Sequence, residues 1–296
     1  MSKKIKAHIA LFAVALIYGA NYTIAKDVMN NEYVQPSAFI LMRACFAALT
    51  FSLLHFLFVK EKVEKRDFKR LLICGIIGVT ANQLLFFEGL KLTSQINAAL
   101  IMTTIPITVL VMSAIILKDK ITRSKIFGIG LGIVGAILLI TYGKNFAYNK
   151  SGILGDVLVF MNAACYGTYL VLVKSLMEKY HPITVVKWVF TFGAVFVIPF
   201  GFSNFLQIEW NTFPTYIWMA VFYVLIFTTV LTYLLNAFAL KEVNTSVVSI
   251  YVYLQPLLAT IIAVVLAKDI LTVDKIGAGL LIFIGVYFVS RREKEG

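Results

Sequence analysis

Gly130, Gly132 and Gly135 stand in the G-x-G-x-x-G spacing with which a dinucleotide-binding turn presents backbone N–H groups to a pyrophosphate. That chemistry needs a strand running into the glycines, a helix N-terminus just after them, and an acid for the ribose. Here a basic segment precedes them, they lie inside the apolar run from Ile126 to Ile140, and no acid follows at the required distance. Nicotinamide chemistry is not expected. Other catalytic sets fare no better: His8, His55 and His181 fall at the ends of different apolar stretches, and neither H-E-x-x-H nor G-x-S-x-G occurs. Cys45, Cys74 and Cys165, odd in number and scattered through apolar surroundings, suit neither a disulfide framework nor a zinc site. No catalytic residue, metal or cofactor is assigned, and the chain reads as a non-enzyme.

The remaining chemistry lies in polar side chains within long apolar stretches, where they are costly and often functional. Arg43 follows Pro36 by seven residues, about 10 Å along a helix, and Lys187 follows Pro182. Either cation could attract a carboxylate or phosphate, or snorkel to a membrane boundary. Tyr18, Asn21, Tyr22, Tyr166 and Tyr169 could line a cavity; Asn82, Gln83, Thr103, Thr232, Tyr233, Asn236, Tyr253 and Gln255 add amide, hydroxyl and aromatic groups. Pro106 and Pro256 lack an N–H and disturb the carbonyl ladder one turn earlier, around Met102 and Val252, which makes kinks or hinges of them. Glu88 and Asp156 lie near the ends of their stretches. With no acid near a midplane, a deep proton relay has no evident carrier, and proton coupling stays open.

Elements that hold such groups must themselves cross a membrane. The chain is 60% hydrophobic and 14% charged, against roughly 45–50% and about 25% in soluble proteins. Apolar runs near the roughly 20 residues that span a bilayer as helix recur at 8–25, 36–59, 70–91, 93–117, 124–143, 152–174, 182–203, 215–240, 244–267 and 272–290. The longest polar interruption is KEKVEKRDFKR, from Lys60 to Arg70, so one membrane domain is expected. Alternate loops carry 19 Lys and Arg on one side and 6 on the other, which by the positive-inside rule puts both termini in the cytoplasm. The net charge of +12 is thereby a matter of topology and implies no nucleic-acid partner; the partners expected are a lipid bilayer and a small-molecule substrate.

The glycine stretch returns about 150 positions later. Lys118, Asp119, Thr122, Lys125, Ile126, Leu131 and Gly135 match Lys268, Asp269, Thr272, Lys275, Ile276, Leu281 and Gly285, whereas Gly130 and Gly132 become Leu280 and Ile282. What the copies share is a helix-capping Thr, a charged turn and small residues for close helix packing. The same offset pairs Lys91 with Lys241, Pro106 with Pro256, Asn82 with Thr232, Gln83 with Tyr233 and Thr103 with Tyr253. Near the start of each half, Tyr18, Gly19 and Lys26 match Tyr166, Gly167 and Lys174 at an offset of 148. The first stretch, basic-headed like a signal peptide, therefore has a structural counterpart and is expected to remain. Five stretches per repeat, an odd number, put the halves in opposite orientation, an arrangement recurrent among secondary transporters. The expected fold is all-α integral membrane, ten transmembrane helices built as two inverted five-helix repeats, 1–143 and 144–296, forming one domain.

The doubled block GLKLTSQINAALIMTTIPITVLVMSAIILKDKIT and ALKEVNTSVVSIYVYLQPLLATIIAVVLAKDILT, with GANYTIAK and LMRACFAALTF, resembles the EamA family of the drug/metabolite transporter superfamily over nearly the whole chain. Two features depart from its habit: the acid before the last helix of each repeat is Asp (Asp119, Asp269) rather than Glu, and the aromatic before the first-helix glycine is Tyr18 rather than Trp. The resemblance implies a ten-helix permease of the bacterial cytoplasmic (inner) membrane, most often an exporter of amino acids or related small metabolites. The mechanism expected is alternating access to a midplane cavity walled by the first, third, fourth, sixth, eighth and ninth helices. A passive channel or membrane-embedded receptor for a small metabolite is the alternative, and oligomeric state is left open.

Overall fold

A backbone inside lipid must satisfy its own hydrogen bonds, and a chain this apolar does so as helix. The computed structural model describes residues 3–30, 32–118, 122–141, 150–243, 251 and 253–290, and no strand occurs among them. The helical segments are α1 (Lys3–Asn30), α2 (Pro36–Val59), α3 (Lys65–Leu92), α4 (Gln95–Ile116), α5 (Arg123–Thr141), α6 (Lys150–Lys179) and α7 (Pro182–Leu206). They continue through α8, formed by Thr215–Phe222, Tyr223–Leu231 and Thr232–Glu242, to α9 (Leu254–Val265) and α10 (Val273–Ser290). Among the described residues seven helices are long and apolar enough to cross a membrane, and α9 is a shorter apolar helix. Large apolar side chains face outward, for example Leu49 at 72% and Val265 at 77% exposed, an arrangement suited to lipid rather than water.

Local sequence sets the boundaries. Pro36 and Pro182 open α2 and α7 in the first turn, where a missing N–H costs nothing. Ser94 caps α4 by accepting from Asn97 N–H at 3.2 Å. In front of Pro106, α4 is interrupted at Thr103–Thr104, where N–H bonds shorten to Leu100 O and Ile101 O before the helix resumes at Ile105. Val252, the corresponding ladder position in the second half, lies outside the described residues, as does Asp119. Lys118 and Ala267, just past α4 and α9, both adopt positive φ of 60° and 53°, so the two copies end with the same left-handed turn.

Packing repeats with the sequence. Exchanging α1–α5 with α6–α10 maps the helix pairings onto themselves: α5 packs on α10 and α2 on α7, while α1 lies against α8 and α9 as α6 lies against α3 and α4. Small residues permit the closest crossings. A Cβ on Gly128 would meet Gly285 O at 2.6 Å, and one on Gly285 would meet Gly128 O at the same distance. Gly132 and Gly135 of the opening motif thus belong to a helix–helix seam, Gly132 against Gly285 and Gly135 against Ile282 and Ala278, whereas Gly130 faces open space.

Candidate functional site

Two π-helical segments, Ile76–Ala81 in α3 and Tyr223–Leu231 in α8, occupy matching places in the repeats and end immediately before Asn82 and Thr232. A π turn shifts the hydrogen-bond ladder by a residue, releases carbonyls and re-aims side chains, and such turns recur at functional sites. In α8 the Thr228 and Thr229 hydroxyls both donate to Val224 O, at 2.7 and 3.0 Å. Arg43 of α2 then docks on this segment: its Nε donates to Thr229 Oγ1 at 2.8 Å and its Nη2 to Thr228 O at 3.3 Å, while Cζ lies 5.8 Å from the Phe87 ring centre. The residue is 9% exposed.

Two of the expected tyrosines lie beside it, and two more adjoin those. Tyr18 and Tyr233 are near enough to interact electrostatically with the guanidinium, and Tyr166 and Tyr169 interact with Tyr233 in the same way. The Tyr18 hydroxyl is 3.1 Å from Thr232 Oγ1, the Tyr166 and Tyr169 rings are 5.9 Å apart, and Tyr233 is set edge-on to Phe51 and Phe190 at 5.6 and 5.8 Å. Tyr18, Tyr166 and Tyr233 each keep part of their surface uncovered although they converge from three helices, α1, α6 and α8. Tyr22 packs edge-on to Phe86. Gln83 and Asn21 are buried with Gln83 Oε1 and Asn21 Oδ1 unpartnered among the described residues.

The rest of the expected set lies elsewhere or is otherwise engaged. Asn82 donates to Asn162 O at 3.4 Å, and Asn162 Nδ2 returns a bond to Asn82 O at 2.7 Å, so this amide pair clasps α3 to α6. Thr103 donates to Leu100 O of its own helix, Tyr253 packs against Phe283, and Asn236 and Gln255 are partly exposed in α8 and α9. Pro106 begins the second part of α4 and Pro256 is buried near the start of α9. Lys187 sits apart from Arg43, 3.4 Å from His55 Nδ1 and over the Trp188 ring. The expected walls omitted α2, which enters through Arg43. Asn162, Thr228 and Thr229 were not singled out from sequence; the adjacent hydroxyls of Thr228 and Thr229 in an apolar run were the available signal.

The two ends of the bundle are tied differently. At one, Lys26 of α1 donates to Thr93 O, and Thr93 Oγ1 donates to the fully buried Asp156 of α6. Asn97 Nδ2 reaches the same carboxylate at 3.2 Å. Asp269, after α9, accepts from Ile96 N–H at 2.9 Å and from Lys275 at 2.8 Å, and Lys268 pairs with Asp27. Burial opposes ionisation of Asp269, but the bonds from Lys275 and Ile96 outweigh it and hold its carboxyl below the usual range. At the other end the repeat-related positions are His8, whose Nδ1 is 2.9 Å from the Tyr251 hydroxyl, and Lys174, which is exposed. That end is tied instead at the α2–α3 loop, where Lys179 pairs with Glu64 and Asp67 at 2.7 and 2.6 Å and His181 N–H donates to Glu61 at 2.9 Å.

The model of the EamA-like transporter family matches residues 5–141 and again 153–291. A relative named an uncharacterized transporter, YyaM of Bacillus subtilis, is 29% identical over 97% of this chain and 94% of its own length. A probable terminal-alkyne amino-acid exporter of Streptantibioticus cattleyicolor is 23% identical over 78% of this chain and 76% of its own. One crystal structure superposes with a TM-score of 0.61 at 16% identity, covering 97% of this chain and 98% of the other, a likeness of fold.

Proposed function

The chain belongs to the EamA-like transporter family, and from that premise we propose that it is a secondary transporter moving a small metabolite by alternating access, an exporter of amino acids or related compounds. In this reading the chain crosses a bacterial inner membrane ten times as two inverted five-helix repeats, 1–143 and 144–296, with both termini cytoplasmic. The Lys26 end is then external and the Lys174 end internal. The naming of one relative as a probable amino-acid exporter supports the substrate class.

The observation that carries the reading is the unequal state of two related ends. Helix pairings are interchangeable between halves, yet Lys26 is drawn into the bonds of Thr93 and Asp156 while its counterpart Lys174 is exposed. Two inverted copies of one bundle can exchange these roles, closing one end as the other opens, around the tyrosine and Arg43 cluster between them. Purified protein in liposomes loaded with unlabelled amino acid should drive transient uptake of labelled amino acid above equilibrium, with saturation. An ohmic, non-saturating current would instead identify a channel and end the carrier reading.

A further inference from the structure

Arg43 is a buried charge without a counter-ion among the described residues: its guanidinium makes two hydrogen bonds, to Thr229 Oγ1 and Thr228 O, and no ion pair. Removing such a charge from water is expensive unless an anion repays it. Arg has five N–H donors in a planar fork, so three remain uncommitted. Tyr18 and Tyr233, which interact electrostatically with the guanidinium, bring hydroxyls that donate as well as accept, and no carboxylate.

Resting on the carrier reading above, we propose that Arg43 is the subsite for the carboxylate of a monoanionic or zwitterionic substrate, held through the free edge of the guanidinium, with the substrate's apolar body against the tyrosines. Asp156 and Asp269 are engaged at the Lys26 end of the bundle: Asp156 accepts from Thr93 and Asn97, and Asp269 from Lys275 and Ile96. A single cation matches a single negative charge; a phosphate monoester, carrying nearly two, would bring one uncompensated charge into the same place. A carboxylate takes two parallel N–H bonds from a guanidinium, and neither an amide nor an amine can reproduce them. The required feature of the substrate is therefore its acid, and its ammonium group is dispensable.

The test uses full-length protein in detergent and matched probes: leucine and phenylalanine, each beside its amide, its decarboxylated amine and its deaminated acid, with phenyl phosphate as a further arm. Amino acids and deaminated acids should raise the melting temperature with a Kd about tenfold or more below that of the amides and amines. Arg43→Met supplies the second readout. Thr229 Oγ1 and Thr228 O each keep a bond without Arg43, to Val224 O and from Thr232 respectively, so removing the charge strands no buried donor. The variant should melt no lower than wild type in the absence of probe and lose the response to acids, while Arg43→Lys keeps a weakened response. Equal stabilisation by amides or amines, preference for the phosphate, a response that survives Arg43→Met, or silence from every acid would overturn the proposal. Saturable exchange of a substrate without a carboxylate would do so while leaving the carrier reading intact; absence of exchange for every probe would remove that reading itself.

Discussion

Gly285→Ala is expected to strain the seam between α5 and α10, and its paired control, Gly130→Ala, is expected to leave it untouched. An added Cβ at Gly285 stands 2.6 Å from both Gly128 O and Gly132 N. These are backbone atoms of a helix, so no side chain can swing aside; the two helices must part by about 0.8 Å to restore ordinary contact, and a gap of that size forfeits roughly a quarter to a half of each pairwise dispersion well along the seam. The cost expected for such overpacking is about 1–3 kcal/mol. At Gly130 nothing lies within 4 Å, and exchanging Gly for Ala in a helix gains up to about 1 kcal/mol. Reversible unfolding of both variants in mixed micelles should give free-energy changes of opposite sign, or at least a loss confined to Gly285→Ala. Equal behaviour of the two, or a wild-type result for Gly285→Ala, would refute the close crossing.

Asn162→Ala removes the side-chain bond to Asn82 O while leaving the backbone carbonyl that accepts from Asn82; a loss of about 1–3 kcal/mol in the same unfolding assay is expected, and no loss would mean that this half of the clasp is not formed. Because the folded pKa of Asp269 lies below its ordinary 3.8, the stability it contributes is present above that pH and fades as pH falls through the lower folded value. The melting-temperature gap between wild type and Asp269→Asn should thus be constant from neutral pH down to mildly acidic conditions and close only below 3.8; a gap that closes near neutrality would contradict the assignment. Gln83→Ala and Tyr233→Ala should weaken substrate affinity measured by exchange, and if Gln83→Ala, Tyr233→Ala and Gln255→Ala all transport as wild type does, the cavity lies elsewhere.

Helix positions were legible in the sequence because apolar runs of spanning length admit little else. The repeat matched Tyr18 to Tyr166 and Asn82 to Thr232 as counterparts in the two halves. It could not show which partners they choose. Asn82 turns to Asn162, an interaction set by how α3 crosses α6, and Thr103 returns its hydroxyl to Leu100 O. The π segments ahead of Asn82 and Thr232 were invisible because composition does not distinguish them from α-helix, yet the second of them is where Arg43 docks. Asp156 reads from sequence as an acid suited to a helix start; its burial against Thr93 and Asn97 depends on the α3–α4 turn folding over it.

The central claim is that the two ends open in turn. Spin labels at Leu92 and Ile270 report on the Lys26 end, and labels at Ile9 and Lys174 on the other; all four positions are exposed. Double electron–electron resonance in lipid nanodiscs, with and without an exchanged amino acid, should show the two distances changing in opposite directions. Distances that stay fixed at both ends, or widen together, would contradict alternating access.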